Sequence, residues 1–442
     1  MKLCWLLVVF CVIPGLSFAT THYVPDDFAT IQEAIDNSWD TVTIVVRPGT
    51  YLENIDFTGK DLTVKSEKGP AVTVIDGGQV ASTVVFTTWE GAGAVLEGFT
   101  ITNGAGEFYG GGIHIVDACP TVADNIITGN QAQLGGGISC QGAYCIPTIV
   151  RNKIVDNHTA GYSYQYGGGI HCEYSFPVLT DNIIAGNTAA DKGGGLYCIY
   201  GEPVLTNNTL TKNSADYGGG VHCHNADCVV TNCILWDNDA ITGPQIYLLG
   251  GLDFTINYSD VEGGEALVYK NNYVNLVWGD GMKSEYPFFV DPNAGDWHLR
   301  YDSPCRNTGS DLTSFLSTLD FEGDPRVADD IPDMGADEFH RHLYSVGSVV
   351  PGGAVKLRVA GEPNLTVKLG LGSGVRYPPK PTNYGDLYLV APFQQFELGA
   401  ISATGVLLVD ATAPSSWKTG EEKPFQALVD SDLTNLLVIT IE

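Results

Sequence analysis

The sequence predicts an all-β chain wound as a right-handed parallel β-helix, and three observations carry that reading. Five glycine triplets, at Gly110–Gly112, Gly135–Gly137, Gly167–Gly169, Gly193–Gly195 and Gly218–Gly220, follow one another at spacings of 25, 32, 26 and 25 residues. Asparagines recur five residues apart within each unit: Asn125 and Asn130, Asn152 and Asn157, Asn182 and Asn187, Asn208 and Asn213. A proline precedes the first asparagine of each pair by five residues, at Pro120, Pro147, Pro177 and Pro203. Gly98 with Asn103, and Asn232 with Asp237, read as degraded copies on the flanks.

After each triplet an aliphatic residue, a variable one, and then Ile115, Cys140, Cys172, Cys198 or Cys223 give the two-residue period of a strand. Each unit therefore holds three short strands divided by Gly, Pro or Asn turns. Stacked units bring like residues about 4.8 Å apart, where asparagine amides hydrogen-bond to one another, so the asparagines are structural. Glycine serves positive φ and close approach of coils. The four cysteines share the inward face of Ile138, Ile170, Leu196 and Val221 and read as a packed column of thiols; at that spacing disulfides are also feasible.

With 51 acidic against 22 basic residues the net charge is -29, which disfavours nucleic acid and direct binding of a polyanion. Residues 1–19, with Lys2, an apolar run and Ser17-Phe18-Ala19, have the pattern of a cleaved export signal, and no later segment is apolar and long enough to span a membrane. A secreted or cell-surface location follows. Nine cysteines remain beyond the leader, an odd number without any C-x-x-C pair.

The stretch Tyr23–Ile35, with Val46–Tyr51 and Val74–Gly77, resembles the opening of pectin-lyase-like right-handed β-helix proteins. The resemblance implies that an early helix covers the open end of the first coil; locally, Thr30 and Glu33 form a capping box and Ile31, Ala34 and Ile35 an apolar stripe. It extends to about residue 340. There Phe289–Pro292, Trp297–Leu299, Ser303–Cys305, Asp320–Arg326 and Asp333–Phe339 resemble the closing segment of secreted bacterial β-helix proteins. The domains expected are thus a leader at 1–19, a β-helix with its N-terminal cap and closing segment at 20–342, and a small β-sandwich at 343–442, the last for attachment, sorting or capping.

The fold hosts lyases, hydrolases, esterases, epimerases and adhesins, so function must come from a site. The N-T-D and G-H-G signatures of family polygalacturonases, the Q-D-T of pectin methylesterases and the D-P-H of alginate-type epimerases are all absent. One row stands out. His114, Ser139, His171, Tyr197 and His222 alternate with inward residues, with Glu173 and His224 one step further on, and all are expected on the solvent face of one sheet.

Three functions fit. The first is non-catalytic binding of extracellular polysaccharide or a cell-surface component through His114, His171, Glu173, Tyr197, His222 and His224, with no cofactor. The second is a calcium-dependent lyase of the pectate-lyase-like class, with Arg151 or Lys153 as base beside Asp124, Asp156 and Asp181. The third is metal handling by the histidine row. Asp320, Glu322 and Asp324 alternate in a loop that offers oxygen ligands to Ca²⁺, or else forms a turn capped by Asx hydrogen bonds.

Overall fold

The structure, a computed structural model, describes residues 20–339 apart from 163, 314, 329 and 330, and beyond 342 the backbone of the strands alone. The leader expected at 1–19 lies outside the described residues. Each coil contributes one strand to each of three parallel sheets. The first sheet has eleven strands, from Thr21–Val24 to Val274–Trp278; the second has nine, from Gly49–Leu52 to Asp260–Val261; the third has nine, from Ile55–Asp56 to Tyr269–Lys270. Like residues pair with like across the coils: Ile138, Ile170, Leu196, Val221 and Ile246 form one inward column, and Cys140, Cys172, Cys198 and Cys223 the next. Both columns are fully buried in one continuous core, and all nine cysteines among the described residues are free.

Two amide ladders fix this register. Asn125 Nδ2 donates to Asn152 Oδ1 at 3.1 Å, Asn152 to Asn182 at 3.1 Å and Asn182 to Asn208 at 3.0 Å. The second ladder runs from Asn130 through Asn157, Asn187 and Asn213 to Asn238 at 2.9–3.0 Å. Each Oδ1 also accepts the backbone N–H of the preceding rung, so turn donors buried away from water are satisfied. The flanking positions correct the sequence reading by one residue. Phe99 N and Gly104 N donate to Asn125 and Asn130, and Cys233 takes over after Asn208, so Asn103 and Asn232 stand one place before the ladder rungs.

The triplets answer two separate demands. The first glycine of each has φ between 55° and 75°, where a side chain is strained. The later ones lie against the neighbouring coil: a Cβ on Gly137 or Gly169 would stand 2.6 or 2.7 Å from the carbonyl oxygen of Gly169 or Gly195.

Helix α1 (Ile31–Asp36) is capped by Thr30, whose Oγ1 accepts from Glu33 N at 3.1 Å, and its first free N–H groups donate to Glu53. Its buried face, Ile31, Ala34 and Ile35, joins the same core as Val24, Ile44 and Ile55. At the other end, residues 287–339 fold back along the turns between the first and second sheets. Asn207 Nδ2 donates to Asp333 O, Asn232 Nδ2 to Ser310 O, and Gly335 N to Asn232 O. The fully buried Arg326 binds Asp181 Oδ1 at 2.9 Å and the Gly335 carbonyl at 2.9 Å.

Beyond residue 342 the strands are antiparallel. Ala354–Ala360 pairs with Leu343–Ser345 and Val406–Thr412; Thr366–Leu371 pairs with Gln394–Ala400 and Glu422–Val429. The side-chain packing that a β-sandwich at 343–442 requires lies outside the described residues.

Candidate functional site

The outward row on the third sheet forms as the alternation predicts, in the order His114, Ser139, His171, Tyr197, His222, Tyr247, Tyr269. It is not exposed as expected. His171, Tyr197 and His222 are buried, and His114 is half-buried. The cover is a second layer built from the segments between each second asparagine and the following triplet. These segments pair across coils through Gln131, His158, Thr188 and Ser214, and through Tyr109, Leu134, Tyr166, Lys192 and Tyr217. Tyr166 stacks on Tyr197 with centroids 4.7 Å apart, Tyr109 lies 5.7 Å from His114, and Tyr217 lies 5.4 Å from Tyr247. The signal was in the sequence: Tyr109, Tyr166 and Tyr217 each stand immediately before a triplet.

Within the row His171, Tyr197, His222 and Tyr247 stack successively at 4.7–5.7 Å. Burial pushes the His171 and His222 imidazoles down to about 3, so both are neutral, and it pushes the Tyr197 and Tyr247 hydroxyls up. The row is a dry aromatic spine. Its residues lie in line, whereas a metal wants ligands converging on one point.

The exposed chemistry lies one step further along each coil, at the turn leading into the first sheet. Glu173 and His224 stay half-exposed there; Gln141 Nε2 donates to Glu173 Oε2 at 3.0 Å and His114 Nε2 to Gln141 Oε1 at 3.2 Å. Beside them Tyr174 and Tyr200, at φ 53° and 54°, stack with centroids 4.9 Å apart and an interplanar angle of 17°, and Tyr200 faces His224 at 6.3 Å. Two more aromatics occupy the same turn of earlier coils, Trp89 and Tyr144, in contact at 5.8 Å. Trp89, Tyr144, Tyr174 and Tyr200 expose 67%, 66%, 50% and 44% of their surface, so this edge presents aromatic side chains to solvent. Sequence reasoning missed all four because they sit in turns, where neither strand nor helix period applies.

Elsewhere, a shallow cleft of about 440 Å³ lies between outward residues of the first sheet, such as Val204, Thr206 and Val229, and the closing-segment residues Leu312 and Phe315. The basic groups proposed for a lyase are engaged. Arg151 forms a two-point bond with Asp124 at 2.8 and 2.7 Å, which raises its pKa further, and Lys153 Nζ sits 5.1 Å above the Phe321 ring. Asp181 is buried against Arg326.

The loop at 320–324 takes the Asx-turn form. Asp320 is fully buried, its Oδ1 accepting from Glu322 N and Asp324 N and its Oδ2 from Glu338 N. Asp320, Glu322 and Asp324 do not converge as one oxygen cage; Glu322 turns instead to His298, 2.9 Å away.

Among the described residues no helix is long and apolar enough to cross a membrane. Residues 48–235 match the family model described as "Right handed beta helix region". No curated protein sequence matches the chain. Among solved structures it is similar to a pectin methylesterase from carrot, at 12% identity and a TM-score of 0.31, over 62% of this chain and 89% of that one. With three parallel sheets in register around one core and that match over its coils, the described solenoid is a right-handed parallel β-helix.

Proposed function

We propose that the turn edge carrying Trp89, Tyr144, Tyr174 and Tyr200 binds an extracellular polysaccharide laid along the solenoid axis, without catalysis. The observation that carries this reading is the exposed stack of Tyr174 on Tyr200. Rigid, exposed aromatic side chains with a polar hydroxyl suit sugar rings, which offer both C–H groups and hydroxyls. Glu173, Gln141 and His224 stand beside the stack to accept and donate hydrogen bonds. The net charge of -29 argues for a neutral polymer over a polyuronate. A location outside the cell accords with such a ligand.

Affinity electrophoresis through gels containing neutral polysaccharides tests the reading. The chain should be retarded by at least one neutral polymer, and Tyr174→Ala with Tyr200→Ala should weaken retardation about tenfold or more. Equal mobility in every neutral gel, or retardation untouched by the double substitution, overturns it.

A further inference from the structure

The outward face of the first sheet carries a cleft that the aromatic edge does not use. Three coils build its floor: Val204 pairs with Val229, Thr206 with Thr231, and Thr231 with Asn257. An apolar column, Val204 and Val229, thus runs beside a polar column of Thr206, Thr231 and Asn257, whose members repeat at the strand spacing of about 4.8 Å. Leu312 and Phe315 of the closing segment face this floor, and Tyr258, next to Asn257, adds a second aromatic ring. Val229, Leu312 and Phe315 are exposed, so apolar surface lies open to an incoming molecule. The volume of about 440 Å³ falls within the roughly 300–1,000 Å³ of small-molecule sites.

Thr206 points to a ligand. It is 1% exposed and its Oγ1 has no hydrogen-bond partner, a costly state for a buried hydroxyl. Because Thr206 also lines the cleft, rotation about its Cα–Cβ bond between staggered positions decides whether methyl or hydroxyl faces the cavity. A ligand that offers a hydrogen bond favours the hydroxyl.

The lining selects the chemistry of that ligand. None of the described lining residues is charged, so a carboxylate, phosphate or ammonium group would lose water there without gaining an ionic partner. A purely apolar molecule would leave Thr206, Thr231 and Asn257 unanswered. A phenol brings one hydroxyl to a column of three. A pyranose carries alternate ring hydroxyls spaced on the scale of neighbouring coils, and C–H surface besides.

We propose that this cleft binds one or two rings of a neutral sugar, its hydroxyls on Thr206, Thr231 and Asn257 and its C–H surface against Val229, Leu312 and Phe315. The site is separate from the aromatic edge and stands whether or not that edge binds a polymer.

Saturation-transfer NMR on the full chain tests the assignment, with the methyl glycosides of glucose, galactose, mannose and N-acetylglucosamine and with cellobiose and lactose as probes. At least one of these sugars should receive saturation, and neither phenol nor glucuronate should displace it. Val229→Trp, which fills the cleft from an exposed strand position, should abolish the transfer. Thr206→Val should weaken binding about tenfold without lowering the melting temperature, since the hydroxyl it removes has no partner to lose. Tyr174→Ala with Tyr200→Ala should leave binding unchanged. Should Val229→Trp fail to fold, Leu312→Ala on the exposed wall takes its place, with an expected weakening of about fivefold. Saturation of none of the sugars, displacement by phenol or glucuronate, or binding undiminished in Val229→Trp or Thr206→Val refutes the site. Transfer lost only in the double tyrosine variant assigns the sugar to the aromatic edge, which refutes the cleft and leaves the polysaccharide reading intact.

Discussion

The regular coils and the closing segment bury polar groups by opposite means. Between residues 113 and 249 the buried polar side chains are mostly neutral amides, and Asn125, Asn130, Asn152 and Asn157 each donate to an asparagine one coil on. Between 287 and 339 they are ions: Arg326 against Asp181 and Glu338, with His298 among Asp296, Glu322 and Asp337. A repeating scaffold supplies a matching partner at every step, so uncharged groups suffice. A segment that occurs once must reach its anchor points with long or charged side chains, and it carries the desolvation penalty of doing so.

If that contrast holds, the largest single loss of stability comes from the closing segment. Arg326→Ala leaves Asp181 and Glu338 buried without a cation and should cost about 3–5 kcal/mol in urea unfolding. A loss under about 1 kcal/mol would mean that the ion pair is a bystander.

The next effect is pH dependence where the last coil meets the closing segment. Burial raises Asp260, which contacts Cys305 Sγ at 3.2 Å, from the ordinary value of 3.8 to about 6. An acid raised in this way holds its proton more tightly folded than unfolded, so stability falls as pH climbs from about 4 to about 6. Lowering the pH from 7 to 4 should therefore stabilise the chain by up to about 3 kcal/mol from this group alone. Asp260→Asn should remove that share, and the urea midpoint of the two proteins across this range measures it. Relief of the overall negative charge acts on both proteins alike, so an identical pH profile in the variant would count against Asp260.

Within the coils, Asn182→Ala removes the acceptor of Asn152 N and Nδ2 and the donor to Ile149 O. A loss of about 2–3 kcal/mol is expected, independent of pH between 4 and 8. A pH-dependent loss would blur the comparison. Smallest is Arg151→Ala: its pair with Asp124 is partly open to water, and the expected cost is at most about 1 kcal/mol, read as a small shift of the urea midpoint.

The same contrast decides what could be read from the sequence. The coils were legible because Gly, Asn and inward aliphatic positions repeat. Legibility faded where the rungs lose asparagine, at Phe99 and Cys233, and the flanking register slipped by one residue. The aromatic row was placed on the correct face, but its burial depends on Tyr109, Tyr166 and Tyr217 folding over it, a tertiary event that alternation cannot report. Tyr174 and Tyr200 escaped notice because non-glycine residues at positive φ carry no periodic mark. In the closing segment, Arg326 meets Asp181 across 145 residues and Glu322 meets His298 from another loop, pairings that no spacing rule foretells.

The 32-residue interval between Gly135 and Gly167 places most of its surplus after Asn157, where Tyr162 and Tyr164 stand in solvent. Asn157 and Asn187 remain bonded across it at 3.0 Å, so this coil has already accommodated extra chain without losing its place in the stack. Each doubling of such a loop adds only about 0.6 kcal/mol of closure entropy. The flank at 161–164 is therefore a natural graft port: a reporter peptide or affinity tag inserted there is displayed sideways while the winding beneath continues unbroken.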